Sequence, residues 1–308
     1  MSGILSALVL LASVGGSAQP TFDAQALAPG VWVLRPAPAD ASATNSLVVE
    51  REDGLLVVDA QPTPEAARRL LEVVARTSAK PVRYLVLSHA HAESAGGASA
   101  FPETTLVIGR SETLSALKDP EYDFGAEVRE RARDPGAWVA PKIRLPVLVI
   151  EAKVDLQDER NQVEIFPVPQ SHSTSDIIVS LPDAGILWAG AISFPDRNPY
   201  GRDASIGGWV ATLNQLAKMA PKVVVPSRGE PLDGRGVRVQ RDSLAWLRGQ
   251  IEQAFVDRVP AAEIADRVLR ADDLSQYFDT AAAPSFLRVL TEVAVEEAVV
   301  ERRKRGLM

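Results

Sequence analysis

The chain has 308 residues, 46% of them hydrophobic and 24% charged, and a formal net charge of −7. This is the composition of a globular protein, long enough for one large domain or two small ones. The acidic balance argues against a nucleic-acid surface, which needs basic patches, and the absence of cysteine excludes disulfides and thiolate metal ligands.

Residues Ile4 to Val14 are apolar except for Ser6 and Ser13, and Gly16-Ser17-Ala18 follows. The run is too short to span a bilayer. Its outline is that of a secretory signal peptide over residues 1–18, cleaved after Ala18. That predicts an exported, periplasmic protein with no stable membrane insertion after cleavage. An uncleaved anchor is the alternative, because no Lys or Arg precedes the apolar run.

Val31–Leu34 and Ser46–Val49 read as strands, and Asp53-Gly54 as a turn into a third, Leu55–Asp59. Pro64 opens a helix capped by Thr63, with Ala67, Leu70, Leu71 and Val74 along its apolar side. Tyr84–Leu87 and Leu106–Ile108 are compact strands, and Ser111–Lys118 is a short helix. Asp119–Ala140 is charged and irregular, either a surface excursion or a lid. Further strands are expected at Val147–Ile150, Val163–Phe166, Ile177–Leu181, Ile186–Ala189 and Val223–Val225. Helices are expected at Trp209–Met219, Leu244–Val256, Ala261–Leu269 and Phe286–Arg303. The basic cluster Arg302–Arg305 reads as a cationic helix end that complements the macrodipole. Strand meanders interrupted by helices imply two packed sheets with helices outside.

Two of the three histidines lie in Ser88-His89-Ala90-His91-Ala92-Glu93-Ser94-Ala95-Gly96-Gly97, where a strand runs out into a loop. Residues two apart in extended chain point to one side, so His89 and His91 can converge on one object. Imidazole is a common metal ligand, although a bare His-x-His also fits two polar loop residues. The third histidine, His172, sits in the polar turn Pro169–Asp176.

Taken together, these segments resemble the metallo-β-lactamase superfamily. Its Thr/Ser-His-x-His-x-Asp-His-x-Gly-Gly motif is matched by Ser88–Gly97, and its Gly-x-x-His-Thr-x-x-Asp turn, loosely, by Pro169–Asp176. Its Leu-x-x-Gly-Asp is matched by Leu187–Ala191, and its Pro-Gly-His-Gly by Pro226–Gly229. The resemblance covers roughly residues 28–233. It implies an α/β fold, a four-layer αββα sandwich over residues 19–235, with residues 236–308 as a helical extension packed on the same domain.

It also implies that His89, His91 and His172 hold a first metal, most simply one zinc ion per chain, although three imidazoles also suit iron or copper. The second site departs from the family: its Asp is Glu93, its His residues are Ser94 and Arg228, and its bridging Asp is Ala191. Arg228 is therefore expected either to stand in electrostatically for a second metal and to orient Glu93, or to be simply a solvated residue in a decayed site. Glu93 is expected to act as general base or water-orienting group, Asp59 to support a ligand histidine, and Asp176 to brace its turn. Gly96 and Gly97 are expected to let the backbone turn tightly beside the metal.

Two functions follow. The first is an exported hydrolase that uses one zinc-bound water, its pKa lowered to about 7, against a small ester, thioester, lactam or phosphoester. The second is a catalytically inactive relative that binds a ligand or a partner protein.

Overall fold

The computed structural model describes residues 21–37, 43–131, 136, 138–195, 198–282 and 284–307. The apolar run of the expected signal peptide lies outside them. Among the described residues no helix is long and apolar enough to cross a membrane.

The first sheet contains β1 (Phe22–Ala28), β2 (Val31–Pro36), β3 (Ser46–Glu50), β4 (Leu55–Val58), β5 (Val82–Val86), β6 (Leu106–Arg110) and β7 (Leu148–Ile150), in that spatial order. β1 to β4 form an antiparallel meander, and β4 to β7 run parallel. The second sheet runs β12 (Val223–Pro226), β11 (Ile186–Gly190), β10 (Ile177–Leu181), β9 (Val163–Pro167) and β8 (Val154–Leu156). Only its β11–β12 pair is parallel.

Side-chain alternation divides the interior into three apolar layers. Val31, Val33, Leu56, Val58 and Val86 of the first sheet meet Ile165, Val179, Ile186 and Trp188 of the second. On the outer face of the first sheet, Val48, Leu55 and Val57 pack against Ala67, Leu70 and Val74 of α1 (Pro64–Thr77). The Thr63 side chain caps α1 by accepting from the Ala66 N–H, as the sequence predicts. On the outer face of the second sheet, Ile178, Leu187 and Val224 meet Trp209, Leu213 and Leu216 of α5 (Ile206–Lys218). The order is helix, sheet, sheet, helix: the αββα sandwich expected from the sequence.

α6 (Gly234–Val256), α7 (Ala261–Val268) and α8 (Pro284–Lys304) share the α5 layer and its apolar cluster, through Leu244, Leu247, Ile264 and Leu290. α6 starts ten residues before the expected Leu244, because Asp233 accepts from the Arg235 and Gly236 N–H groups and caps it. Among the described residues there are also three short α-helices: α2 (Ala92–Ala95), α3 (Ser111–Lys118) and α4 (Ala126–Arg131).

Candidate metal centre

Parallel sheets present their functional loops at the carboxyl ends of the strands. β4, β5, β11 and β12 all end at one rim, and every candidate residue lies on the loops there or is packed against them. Asp59, just past β4, is in the left-handed region (φ 67°) and buried. It ties the loops together: Oδ1 accepts from the Ser88 N–H at 2.8 Å and from the Ser94 hydroxyl, and Oδ2 accepts from the Ser88 hydroxyl at 2.7 Å. Gly96 and Gly97 have φ of −61° and −86°, which any residue adopts. Close approach explains them better than a tight turn does: a Cβ would lie 2.1 Å from the carbonyl oxygen of Pro62 at Gly96, and of Ala60 at Gly97.

His89, His91, Glu93 and His172 meet at this rim, each at most 2% exposed, and their ligand atoms lie within 4.8 Å of one another. The three rings stand mutually perpendicular, with centroids 4.8–5.0 Å apart. α5 fixes the third ring. Its cap residue Ser205 donates its N–H to the Ser171 carbonyl, the Ser171 hydroxyl bonds Thr212, and Trp209 packs 5.7 Å from the His172 ring. Asp176 accepts from both the N–H and the hydroxyl of Ser173, and so braces the turn as expected.

Each imidazole has an oxygen group behind one nitrogen. His89 Nδ1 lies 3.0 Å from the Ser88 hydroxyl. That hydroxyl already donates to Asp59, so it accepts from His89, and Asp59 supports this ring through a relay rather than directly. His91 Nε2 lies 2.8 Å from Asp203 Oδ2, whereas His172 Nδ1 faces Asp176 Oδ1 across 3.6 Å, beyond hydrogen-bond reach, and has no hydrogen-bond partner among the described residues. A carboxylate behind a histidine fixes its ring and raises its basicity as a ligand. The opposite nitrogens are His89 Nε2, His91 Nδ1 and His172 Nε2. The first meets Glu93 Oε1 at 3.0 Å. The other two, and Glu93 Oε2, are buried without a hydrogen-bond partner among the described residues. Orphaned buried polar atoms are costly, and three imidazoles with a carboxylate are a donor set that suits zinc. The residues present therefore fit one metal ion.

The electrostatics follow from crowding. Burial and the like charge of Glu127 push the Glu93 carboxyl up, but His89 and His91 outweigh them and hold it below the ordinary range. Burial disfavours the His172 imidazolium, but Asp176 and Glu127 carry its pKa to about 10.

The other half of the rim differs from expectation. Arg228 does not form the anticipated pair with Glu93. Its Nε lies 3.6 Å from Glu127 Oε1, and its Nη1 donates to the Ala43 carbonyl. The physical reason is α4, which inserts Glu127 between Arg228 and the histidines. Arg131, one turn further along α4, donates to Glu127 Oε1 at 2.6 Å. Despite full burial, the charges of Arg131, His172 and Arg228 hold Glu127 well below the usual carboxylate range. Ser94 turns its hydroxyl to Asp59 and is committed to the scaffold. Ala191 offers no ligand.

Sequence reasoning missed Glu127 and Asp203. Both come from segments without a motif, Asp119–Ala140 and Phe194–Gly208, and nothing in their local pattern marks them. Tyr122, which donates to Asp203 Oδ2 at 3.2 Å, was missed for the same reason.

Comparison with known proteins agrees with this architecture. The family model for the metallo-beta-lactamase superfamily matches residues 39–228. The chain belongs to that superfamily. It is 25% identical over 270 residues to a linear primary-alkylsulfatase from a Pseudomonas species, a match covering 75% of this chain and 51% of that protein. It is also 25% identical over 218 residues to a type 2 metallo-beta-lactamase of Bacillus cereus, covering 68% of this chain and 77% of that one. The structure of the sec-alkylsulfatase Pisa1 from a Pseudomonas species superposes with a TM-score of 0.68 at 18% identity, over 90% of this chain and 50% of that one. This chain thus spans about half the length of the alkylsulfatases it matches.

Proposed function

We propose that the protein is a single-zinc hydrolase of small anionic esters, with alkyl sulfates the favoured class. One observation carries the proposal: imidazole nitrogens and a carboxylate oxygen, buried and without hydrogen-bond partners among the described residues, converge on one point. The alkylsulfatase likeness, which extends beyond the family-model match, supports the choice of ester.

Zinc would be held by His89, His91 and His172, and would supply a Lewis acid that polarises the ester and lowers the pKa of water. Glu93 Oε2 has no hydrogen-bond partner among the described residues, so it can take the proton from the attacking water and return it to the alcohol that leaves. Arg228 supplies a permanent positive charge for the anionic group. Asp203 bonds the His91 ring, Asp59 acts on His89 through the Ser88 hydroxyl, and Asp176 braces the turn that carries His172. The acidic net charge supports a small-molecule substrate over a nucleic acid. Export is part of the proposal and is supported by the apolar run Ile4–Val14 followed by Gly16-Ser17-Ala18.

A second reading, a non-catalytic relative that binds a ligand or a partner protein, is favoured by the absence of metal-ligating side chains at Ala191 and Arg228. The cavity lined by Glu127, His172, Ala191 and Arg228 has a volume of about 20 Å³, room for roughly one water.

Elemental analysis of the purified protein, followed by incubation with a linear primary alkyl sulfate, separates the two. About one zinc per chain, lost in His172→Ala, together with release of inorganic sulfate supports the hydrolase. Zinc without turnover of any ester offered supports the binding protein.

A further inference from the structure

The closed cavity has a specific cause in α4. Glu127 is 4% exposed, and its two carboxylate oxygens face different surroundings. Oε1 takes both guanidinium contacts, from Arg131 at 2.6 Å and Arg228 at 3.6 Å. Oε2 lies 3.8 Å from His172 Nε2 and has no hydrogen-bond partner among the described residues. A carboxylate serving only as a counter-ion to arginine would favour a bidentate pair using both oxygens. Here one oxygen is left over, buried and directed at the nitrogen that faces the proposed metal.

The segment is also anchored as a unit. The Phe124 carbonyl accepts from the Ala92 N–H at 2.8 Å, which links it to the histidine loop. Ala126 packs with Tyr200 and Phe286, and the Arg131 guanidinium lies 4.5 Å over the Phe286 ring. Phe286 belongs to α8, so the C-terminal helices hold α4 in place over the metal centre.

We propose that Glu127 is an internal ligand: its Oε2, held by α4 3.8 Å from His172 Nε2, would bind the metal alongside the histidines, and an oxyanion of the substrate must displace it there and at Arg228. This rests on the single-metal reading above. It makes α4 a plug whose carboxylate imitates the substrate's anionic group. It also implies that the substrate carries a sulfate, carboxylate or similar oxyanion able to replace a carboxylate between a metal and a guanidinium.

The test uses the full chain loaded with cobalt(II), read by its visible spectrum and titrated with sodium sulfate. Glu127→Gln removes the ligand charge. Glu127→Asp keeps the charge facing Arg131 and Arg228 but withdraws the carboxylate by one methylene, which guards against simple misfolding. Both variants are expected to shift the cobalt bands and to bind sulfate about tenfold more tightly, because the competing internal ligand is gone. Unchanged spectra with equal sulfate affinity in all three proteins would overturn the proposal while leaving the metal site intact. Failure of the wild-type protein to take up cobalt or zinc would overturn both this inference and the hydrolase reading.

Discussion

The two halves of the rim are built on opposite plans. On one side, three histidines face inward and each has an oxygen group behind it: Ser88 and Asp59, Asp203, and Asp176. On the other side, where the family's second metal would lie, Ala191 is silent, Ser94 serves the scaffold, and Arg228 faces Glu127. A cation is invited on the first side, while on the second a guanidinium already provides positive charge. The lesson is that losing a ligand set need not leave a void. Arg228 occupies that side and faces a carboxylate of its own, Glu127.

Breaking the first side should have the largest effect. Asp203→Asn removes the charge behind His91, and zinc affinity measured by chelator competition should fall by about 10- to 100-fold. An unchanged affinity would mean that His91 is not a ligand. Breaking the second side should show in stability instead. Arg228→Ala removes one of the two guanidinium groups facing Glu127 and should cost about 2 kcal/mol in urea unfolding. That lies below the usual loss for a buried pair, because Arg131 remains and Arg228 is 15% exposed. A neutral result would show that Arg228 is only a surface residue. The smallest effect is expected at Ser88→Ala, which cuts the relay between His89 and Asp59. Zinc affinity should drop by only about threefold, since the ring keeps its neighbours.

The sequence was most informative where burial is two-sided. β4, β10 and β11 are near-continuous apolar runs, and α1 shows its cap and its stripe. β1 was missed because it is a largely exposed edge strand of Ala, Gln and Asp, poor in β-branched residues. α4 was missed because Ala126–Arg131 has the composition of a solvated surface, and only tertiary packing buries Glu127. The histidines were legible because the chain has just three and all fall on motif positions. Asp203 had no such signal. Its role depends on a contact with His91, 112 residues earlier in the chain.

The three imidazoles also have a mechanical meaning. His89 and His91 follow a strand of the first sheet, while His172 precedes a strand of the second. An ion shared among them would be a cross-link between the two leaves of the sandwich, closing a long loop in the unfolded chain as a staple does. The leaves would then separate at this rim last when the metal is present and sooner when it is gone, so the order of unfolding would itself report metal occupancy.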